Sequence, residues 1–362
     1  MDETDPITGI IREGIRTRVF PGAVLFVRHK GQIGVHQAIG LTSSHPNSPP
    51  VQINTIYDLA SLTKPLATAS SILLLVQEGR VSLTQNLATL LEETKGVPLG
   101  QASLRDLLSH QSGLPAWRPF YQSFPPTFSS EPDFRQKRTQ AILEMILKEP
   151  IDQSSPSTSK YSDLGYMVLG FVVERVTGQS LADFTRERIF NLVEASPLAY
   201  GIHSINGGEL DRVAPSEEDP WRGRLLQGEV HDENAAALAG IAGHAGLFGT
   251  AQAVGQITKA WLDSYAGKPS LFQRDLVRQF VKAQPGTSWG LGWDTPSQPS
   301  SSGQWFLPES FGHLGFTGTS IWIDPVRELE AIFLSNRVHP TRDNQAIKTF
   351  RPKLHDVIIQ GL

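Results

Sequence analysis

The sequence predicts an α+β protein, an α/β sandwich in which one antiparallel sheet is flanked by the terminal helices and an all-helical domain is inserted. Two observations predict this class: strand-like runs occur near both ends of the chain, and helical patterns fill most of the sequence between them. We therefore predict one folded unit over residues 1–362. Its antiparallel-sheet part comprises residues 1–65 and 285–362, and its mainly helical part comprises residues 66–284.

The N-terminal elements are an amphipathic helix and a hairpin. Isoleucines recur at helical spacing within residues 5–19, and Pro21 and Gly22 end this helix. Residues 23–28 and 33–39 are strand-like runs on either side of a short polar turn, which predicts a β-hairpin.

The last quarter of the chain is rich in strand signals. Residues 289–293, 311–314, 320–324 and 329–336 are short apolar runs that predict consecutive strands. A final helix is predicted at about 343–360. Because the strands bracket the helical middle, the two ends of the chain are expected to share one sheet.

Composition excludes several classes of function. The chain has 362 residues, of which 39% are hydrophobic and 19% charged, as in an ordinary globular protein. The net charge is −4 and the sequence contains no basic stripe, which argues against a nucleic-acid partner. The absence of cysteine excludes disulfides, thiolate metal sites and a cysteine nucleophile. The longest apolar run, residues 72–76, is too short to span a membrane.

A candidate nucleophile lies where the sheet part meets the helical part. An apolar, extended stretch leads into Ser61, and a helical pattern follows with Pro65 in its first turn. Ser61 then lies at the positive end of the helix dipole, with Lys64 one turn further on the same face. A lysine amine whose pKa is lowered by burial can take the serine proton. This is the Ser-x-x-Lys arrangement of active-site serine acyltransferases.

The same spacing recurs from Ser157 to Lys160, so the motif also occurs here by chance. That second copy lies in a Ser/Pro/Thr-rich loop and has no apolar run ahead of it. The strand-to-helix context favours Ser61 as the nucleophile, although the motif by itself leaves both interpretations open.

Two further motifs occur in order along the chain. Tyr161-Ser162-Asp163 precedes a helical pattern, and Gly-His-Leu-Gly-Phe-Thr-Gly-Thr occupies residues 312–319. Together with Ser61 and Lys64, and with the Ser-His-Gln-Ser-Gly-Leu stretch at 109–114, they resemble the serine β-lactamase and penicillin-binding-protein superfamily. The resemblance is stronger to the class C β-lactamase-like branch and covers roughly residues 7–360.

The resemblance implies a catalytic role for four side chains. Ser61 would form the acyl-enzyme, and Lys64 would hold the serine and tyrosine network in its reactive protonation state. Tyr161 would carry a proton between the serine and the leaving group, with Lys64 supplying the positive charge that a phenol needs as a base. His313 would occupy the position where relatives carry lysine or histidine.

The resemblance also implies substrate contacts. Gly315 would let the substrate lie along the strand edge, and the N–H groups of Ser61 and Phe316 would form the oxyanion hole. Asp163 stands where the family usually has an asparagine that donates to a substrate amide oxygen, whereas an ionised aspartate only accepts. Capping of its helix is a compatible alternative for Asp163.

Three departures from the family motifs point away from efficient β-lactam hydrolysis. Asp163 is the first of them. Leu314 lacks the hydroxyl that would hold a β-lactam carboxylate, and His313 carries less positive charge at neutral pH than lysine. They favour an ester, or a peptide of different polarity, as the substrate.

The remaining polar features predict structural roles. His110, His231 and His244 lie beside small residues in turns and are interpreted as hydrogen-bonding groups, because no metal-ligand spacing is present. The acidic run at residues 217–219 is interpreted as a solvated face. The aromatic segment within 109–135 predicts either a mobile loop or pocket wall, or a loop pinned by its rings.

The leading hypothesis is a serine hydrolase that acts through a Ser61 acyl-enzyme, without cofactor or metal, on a small ester, amide or D-amino-acid peptide. The alternatives are a DD-peptidase or class C-type β-lactamase, and a non-catalytic family-like scaffold. The expected partner is a small molecule or short peptide, and the oligomeric state is open. The acidic N-terminus lacks signal-peptide features, which predicts a cytoplasmic location, or a periplasmic or extracellular one if an export signal has been removed.

Overall fold

The computed structural model describes residues 5–126, 133–152, 159–201 and 210–362. The helices are α1 (Pro6–Arg16), α2 (Ser70–Gln77), α3 (Leu104–Leu108), α4 (Phe134–Leu147), α5 (Asp163–Thr177), α6 (Leu181–Thr185), α7 (Glu233–Ala237), α8 (Ala251–Ala266), α9 (Arg274–Val281) and α10 (Ile347–Gln360). The strands are β1 (Gly22–His29), β2 (Gln32–Gly40), β3 (Tyr57–Asp58), β4 (Ala199–Tyr200), β5 (Glu218–Asp219), β6 (Arg224–Leu225), β7 (Leu247–Gly249), β8 (Phe311–Leu314), β9 (Ser320–Asp324) and β10 (Leu329–Ser335).

The central sheet joins the two ends of the chain. Its strand order is β2-β1-β10-β9-β8, and each neighbouring pair is antiparallel. The predicted hairpin of β1 and β2 is present, and Phe26 of β1 lies opposite Ile332 of β10. The α+β class predicted from the sequence is therefore confirmed.

Strand β1 is buried on both faces, and its side chains alternate between two cores. Val24 and Phe26 belong to the inner core, which continues into the helical part. Leu25 and Val27 belong to the outer core, under the terminal helices α1 and α10. Burying each such apolar side chain contributes roughly 1.5–3 kcal/mol, so both layers hold the sheet in place.

The helical part also contributes to the sheet and to the site. Helix α8 lies against the inner face, where a Cβ added to Gly255 would lie 2.9 Å from the Phe26 ring. The short strands β3, β7 and β4 form a second sheet, which holds the segment leading to Ser61. The division at residues 66–284 stays a prediction.

The prediction of a strand at residues 289–293 is wrong. Trp289 forms only an isolated bridge with Asp294, and Asp294 forms another with Gly312. Gly292 has a φ of 95°, which is incompatible with extended β geometry, so the segment turns instead of continuing as a strand. In the part of the chain that the structure describes, no helix has the length and apolar character needed to cross a bilayer.

Candidate active site

Ser61 lies at the start of a helical segment, directly after a residue with left-handed backbone. Strand β3 leads into a 3₁₀ turn, Ala60–Leu62, and then into a π-helical segment, Lys64–Ala69, that continues as α2. Ala60 has a φ of 48°, a conformation that costs a non-glycine residue about 1–3 kcal/mol. The turn places Ser61 on the wall of an open cleft of about 530 Å³.

Lys64 is completely buried beside the candidate nucleophile. Its Nζ donates to Ser61 Oγ at 2.9 Å and to His244 O at 3.1 Å, and it lies 2.6 Å from Asp163 Oδ1. Burial lowers the Lys64 pKa, but Asp163 and Tyr161 together outweigh burial and raise it. The expectation of an amine with a lowered pKa is therefore wrong. With its pKa raised, Lys64 is charged at neutral pH and donates to Ser61.

Tyr161 completes the cluster around the ammonium. Its ring centroid is 4.9 Å from Lys64 Nζ, and its hydroxyl forms hydrogen bonds with both Lys64 and Ser61. Burial raises the Tyr161 pKa, the Lys64 charge opposes burial, and Asp163 reinforces it, so the net shift is upward. The phenol is protonated at neutral pH and contacts the serine oxygen, which lets it pass protons on.

Asp163 is the first residue of α5, but another side chain caps this helix. Ser162 Oγ accepts from Gly165 N at 3.2 Å, and this bond is the side-chain N-cap. The Asp163 carboxylate points to Lys64 and lines the cleft. It therefore neutralises the buried ammonium, a function that an asparagine could not perform.

The structure does not bring His313 to the surface of the cleft. The described wall is formed there by Leu314, Gly315 and Phe316, while the His313 ring is buried 6.1 Å from the Tyr161 ring. Its Nδ1 bonds Leu314 O at 2.8 Å. Burial and the Lys64 charge lower the His313 pKa to about 3, so the imidazole is neutral. His313 therefore lies behind Tyr161 as seen from the cleft. The catalytic role of His313 stays a prediction.

Gly315 and Phe316 lie where β8 turns towards β9. A Cβ on Gly315 would lie 1.9 Å from Thr319 Oγ1 and 2.7 Å from Leu59 O, so close packing onto the Ser61 segment already requires glycine here. The Phe316 ring is 47% exposed and stacks on His231 with centroids 5.6 Å apart. The predicted oxyanion role of the Phe316 N–H remains untested.

Asp58 is a buried residue to which sequence reasoning assigned no function. Its Oδ1 accepts from Ala60 N at 2.8 Å, and its Oδ2 accepts from His231 N at 2.7 Å. Its main-chain oxygen accepts from Thr317 Oγ1 at 2.7 Å. We refer to these three contacts as the Asp58 clamp. The clamp fixes the Ser61 turn to both neighbouring segments; an aspartate two residues before a turn is the only local signal of it.

The interpretation of residues 217–219 as a solvated face is wrong for Glu217 and Asp219, which are buried, whereas Glu218 is exposed. Glu217 is 3% exposed and bonds His231 Nε2 at 2.8 Å and Arg342 Nε at 2.6 Å. Its burial would raise the pKa, but these two partners lower it to about 2. Asp219 is also buried and lies 2.6 Å from Arg222 Nε. His231 and Arg342 are distant from Glu217 in sequence, so the run of acidic residues by itself did not indicate that Glu217 is paired and buried.

The other predicted hydrogen-bonding histidines behave as expected. His244 Nε2 lies 2.8 Å from Asp232 Oδ1, and His110 Nδ1 accepts from Ser162 N at 3.1 Å. Trp117, from the aromatic segment, lines the cleft, which supports the pocket-wall alternative for that part of the segment. The second Ser-x-x-Lys copy begins at Ser157, outside the described residues.

The chain is similar to known proteins over most of its length. A family model described as Beta-lactamase matches residues 7–354. The putative D-alanyl-D-alanine carboxypeptidase of Escherichia coli strain K12 is 31% identical over 357 residues, which cover 90% of this chain and 81% of that protein. The N-acetylmuramyl-L-alanine amidase of Bacillus subtilis strain 168 is 30% identical over 350 residues, which cover 88% of this chain and 78% of that protein.

Solved structures share the fold over nearly the whole chain. The octameric penicillin-binding protein homologue from Pyrococcus abyssi has a TM-score of 0.76 at 20% identity, covering 98% of this chain and 77% of its own. The hydrolase EstCE1, with promiscuous acyltransferase activity, has a TM-score of 0.75 at 18% identity, covering 97% of each chain. At these identities the likeness shows the fold and leaves the substrate open.

Proposed function

Because this chain belongs to the β-lactamase family of serine hydrolases, we propose that it cleaves an amide bond in a short alanine-containing peptide through a Ser61 acyl-enzyme. The observation that carries the proposal is the buried Lys64 ammonium, which contacts Ser61 Oγ at 2.9 Å and Asp163 Oδ1 at 2.6 Å. The names of the carboxypeptidase and amidase relatives both denote hydrolysis of an amide bond to alanine, which supports this substrate class.

Acylation then needs a proton route that does not end on Lys64. Ser61 Oγ attacks the amide carbon while its proton moves to the Tyr161 oxygen, and the Tyr161 proton moves to the departing nitrogen. The bond from Oγ to carbon forms, the carbon–nitrogen bond breaks, and the tyrosine is a neutral phenol before and after. The Lys64 charge lowers the cost of negative charge developing on Ser61 and Tyr161 during this transfer.

Deacylation uses the same relay in reverse. A water molecule attacks the acyl carbon, its proton moves to Tyr161, and the Tyr161 proton returns to Ser61 Oγ as the ester bond breaks. The products are a carboxylic acid and the free enzyme with Lys64 still charged. Because both steps use one relay, loss of either Ser61 or Tyr161 should stop turnover.

An ester substrate is the second candidate, and one observation favours it. Asp163 accepts hydrogen bonds and is committed to Lys64, so it cannot donate to a substrate amide oxygen as an asparagine would. An ester also has a better leaving group, which places less demand on the proton that Tyr161 delivers. Hydrolysis of β-lactams is disfavoured by the same aspartate and by Leu314.

Product analysis tests these candidates. The enzyme is incubated with acetyl-D-alanyl-D-alanine, N-acetylmuramyl-L-alanine and 4-nitrophenyl acetate, using wild type, Ser61→Ala and the exposed control Ser82→Ala. We expect cleavage of at least one amide by wild type and Ser82→Ala, and none by Ser61→Ala. Cleavage of the ester only would favour the second candidate. An inert wild type, or an active Ser61→Ala, would overturn the hydrolase mechanism.

A further inference from the structure

His110 is a buried residue that takes no part in the proposed proton transfers. It is 2% exposed and lies just after α3, in the stretch of residues 109–114. Its ring centroid lies 4.6 Å from that of Tyr161, and the Trp289 ring packs edge-on against it, also at 4.6 Å. His110 therefore contacts the tyrosine that relays protons in the proposed reaction.

Both chain neighbours of Tyr161 donate a hydrogen bond to His110. Lys160 N donates to His110 O at 2.9 Å, and Ser162 N donates to His110 Nδ1 at 3.1 Å. One bond uses the main chain of the histidine and the other uses its ring. The backbone on either side of Tyr161 is thus held by one residue, whose ring also packs against the phenol.

The bond from Ser162 determines where the His110 ring carries its proton. A ring nitrogen that accepts a hydrogen bond is unprotonated, so a neutral imidazole that accepts at Nδ1 carries its proton on Nε2. Burial, and then the Lys64 charge, lower the pKa of His110 well below its usual value, so the ring is neutral at neutral pH. The charged ring or the other tautomer could not accept from Ser162 N.

Two features of His110 are unfavourable for stability. Its backbone has a φ of 59°, in the left-handed region that only glycine adopts freely. Its Nε2 is buried and has no hydrogen-bond partner among the described residues, although it carries the ring proton. Strained residues cluster at active sites, where the surrounding structure fixes them. The backbone strain and the unpaired N–H therefore indicate a functional role for this residue.

We propose that His110 is a positioning residue for Tyr161, which aligns the phenol with Ser61 and with the leaving group. Proton transfer requires the phenol oxygen to stay within hydrogen-bond reach of both, and a misplacement of about 1 Å can cost roughly a hundredfold in rate. His110 does not line the cleft, so it acts through Tyr161. The inference rests on the proposed function, because it assigns a residue to the relay of that reaction.

Two esters with different leaving groups test the inference. 4-Nitrophenyl acetate and phenyl acetate form the same acetyl-enzyme, but 4-nitrophenolate is a weak base that leaves without a proton. Phenolate is a stronger base, so its departure gains more from the proton that Tyr161 delivers. We measure kcat/KM, which reports acylation, for both esters and take the ratio of phenyl to 4-nitrophenyl. Misplacement of Tyr161 should lower this ratio.

Three variants separate the ring acceptor from the backbone. His110→Gly tolerates the left-handed backbone but has no ring, so we expect the ratio to fall roughly tenfold, part of the contribution of a positioned proton donor. His110→Asn also tolerates that backbone and offers an oxygen acceptor close to its Cβ, so it should recover most of the ratio. His45→Asn, at an exposed histidine outside the cleft, is the matched control and should leave the ratio unchanged.

Nitrogen NMR of the histidine rings tests the same contact without turnover. The wild-type His110 signal, assigned by its absence from the spectrum of His110→Asn, should show at neutral pH a proton on Nε2 and an unprotonated Nδ1. A charged ring, or a proton on Nδ1, would contradict the bond from Ser162 and overturn the inference.

The outcomes distinguish this inference from the proposed reaction. Incomplete folding lowers both rates and leaves their ratio unchanged, so an unchanged ratio in His110→Gly would overturn the positioning role and leave the Ser61 chemistry standing. A ratio as low in His110→Asn as in His110→Gly would overturn the role of the ring acceptor. A wild type that cleaves neither ester would overturn the proposed reaction, and the inference with it.

Discussion

The cleft presents buried positive charge in two opposite settings. At the nucleophile end, Lys64 contacts Ser61, and Asp163 neutralises it. Elsewhere in the cleft, Arg337 and Arg351 donate to main-chain carbonyls, and neither forms an ion pair with another described residue. The Lys64 ammonium is compensated by a carboxylate in contact with it, whereas the two guanidinium groups are held by oxygens that carry no net charge. The contrast places the directly paired cation of the cleft next to the candidate nucleophile.

Removing the paired cation should produce the largest effect. In Lys64→Met the serine loses its ammonium and Asp163 keeps an unbalanced charge, so we expect kcat/KM to fall by roughly 10²–10⁴. Because Lys64 serves the chemistry, the loss should be equal for substrates with and without a carboxylate. Steady-state kinetics on a matched acid and amide measure it, with exposed Lys95→Met as control. A loss confined to the acid would contradict a role of Lys64 in the chemistry.

Removing the Asp58 clamp should have the second-largest effect, because the clamp holds the turn that carries Ser61. Asp58→Ala leaves the N–H groups of Ala60 and His231 without their acceptors, and each buried unpaired group costs about 1–3 kcal/mol. We expect the free energy of unfolding in urea to fall by about 2–6 kcal/mol. The folded fraction should show a reduced kcat with KM nearly unchanged.

Asp58→Asn sharpens this test. The amide keeps one acceptor oxygen and turns an N–H towards the other donor, so its loss of stability should be smaller than that of alanine but measurable. Equal stability of wild type and both variants would show that the clamp is not needed to hold the strained Ala60.

The smallest expected effect concerns the partner of Lys64. Asp163 raises the Lys64 pKa against burial, so in the wild type the ammonium persists as pH rises through and beyond the ordinary lysine range. Asp163→Asn removes this contribution and leaves burial to lower the pKa. The alkaline limb of the profile of kcat/KM against pH should then move to lower pH. If the alkaline limb of kcat/KM does not move in Asp163→Asn, the titration of Lys64 does not determine that limb.

The fold and the nucleophile segment could be predicted because their signals are local. In the hairpin strands, side chains point alternately to opposite faces, and this repeat is visible within a few residues. Ser61 and Lys64 lie within one helical turn, so their motif also falls within a short stretch of sequence. Tyr161 and Asp163 were found as a motif, but their contact with Lys64 is a product of the tertiary fold. The sign of the Lys64 pKa shift depends on that contact, which explains why burial by itself predicted the wrong direction.

Residues whose partners are distant in sequence were missed or misread. Glu217 lies in an acidic run that is indistinguishable from a solvated face until His231 and Arg342 are placed beside it. Arg337 and Arg351 are ordinary basic residues in the sequence, and only the structure shows that carbonyls surround them. Pairing and burial of charge are properties of the fold, which composition does not encode.

The central claim is that Ser61 carries the acyl group, and rapid-quench mass spectrometry tests it most directly. Wild type and Ser61→Ala are mixed with 4-nitrophenyl acetate, stopped in acid at increasing times, and digested for peptide mapping. We predict one acetyl group per wild-type chain on the peptide that contains Ser61, appearing with the first burst of nitrophenol, and none in Ser61→Ala. Acetylation elsewhere, or an undiminished burst in Ser61→Ala, would contradict the mechanism.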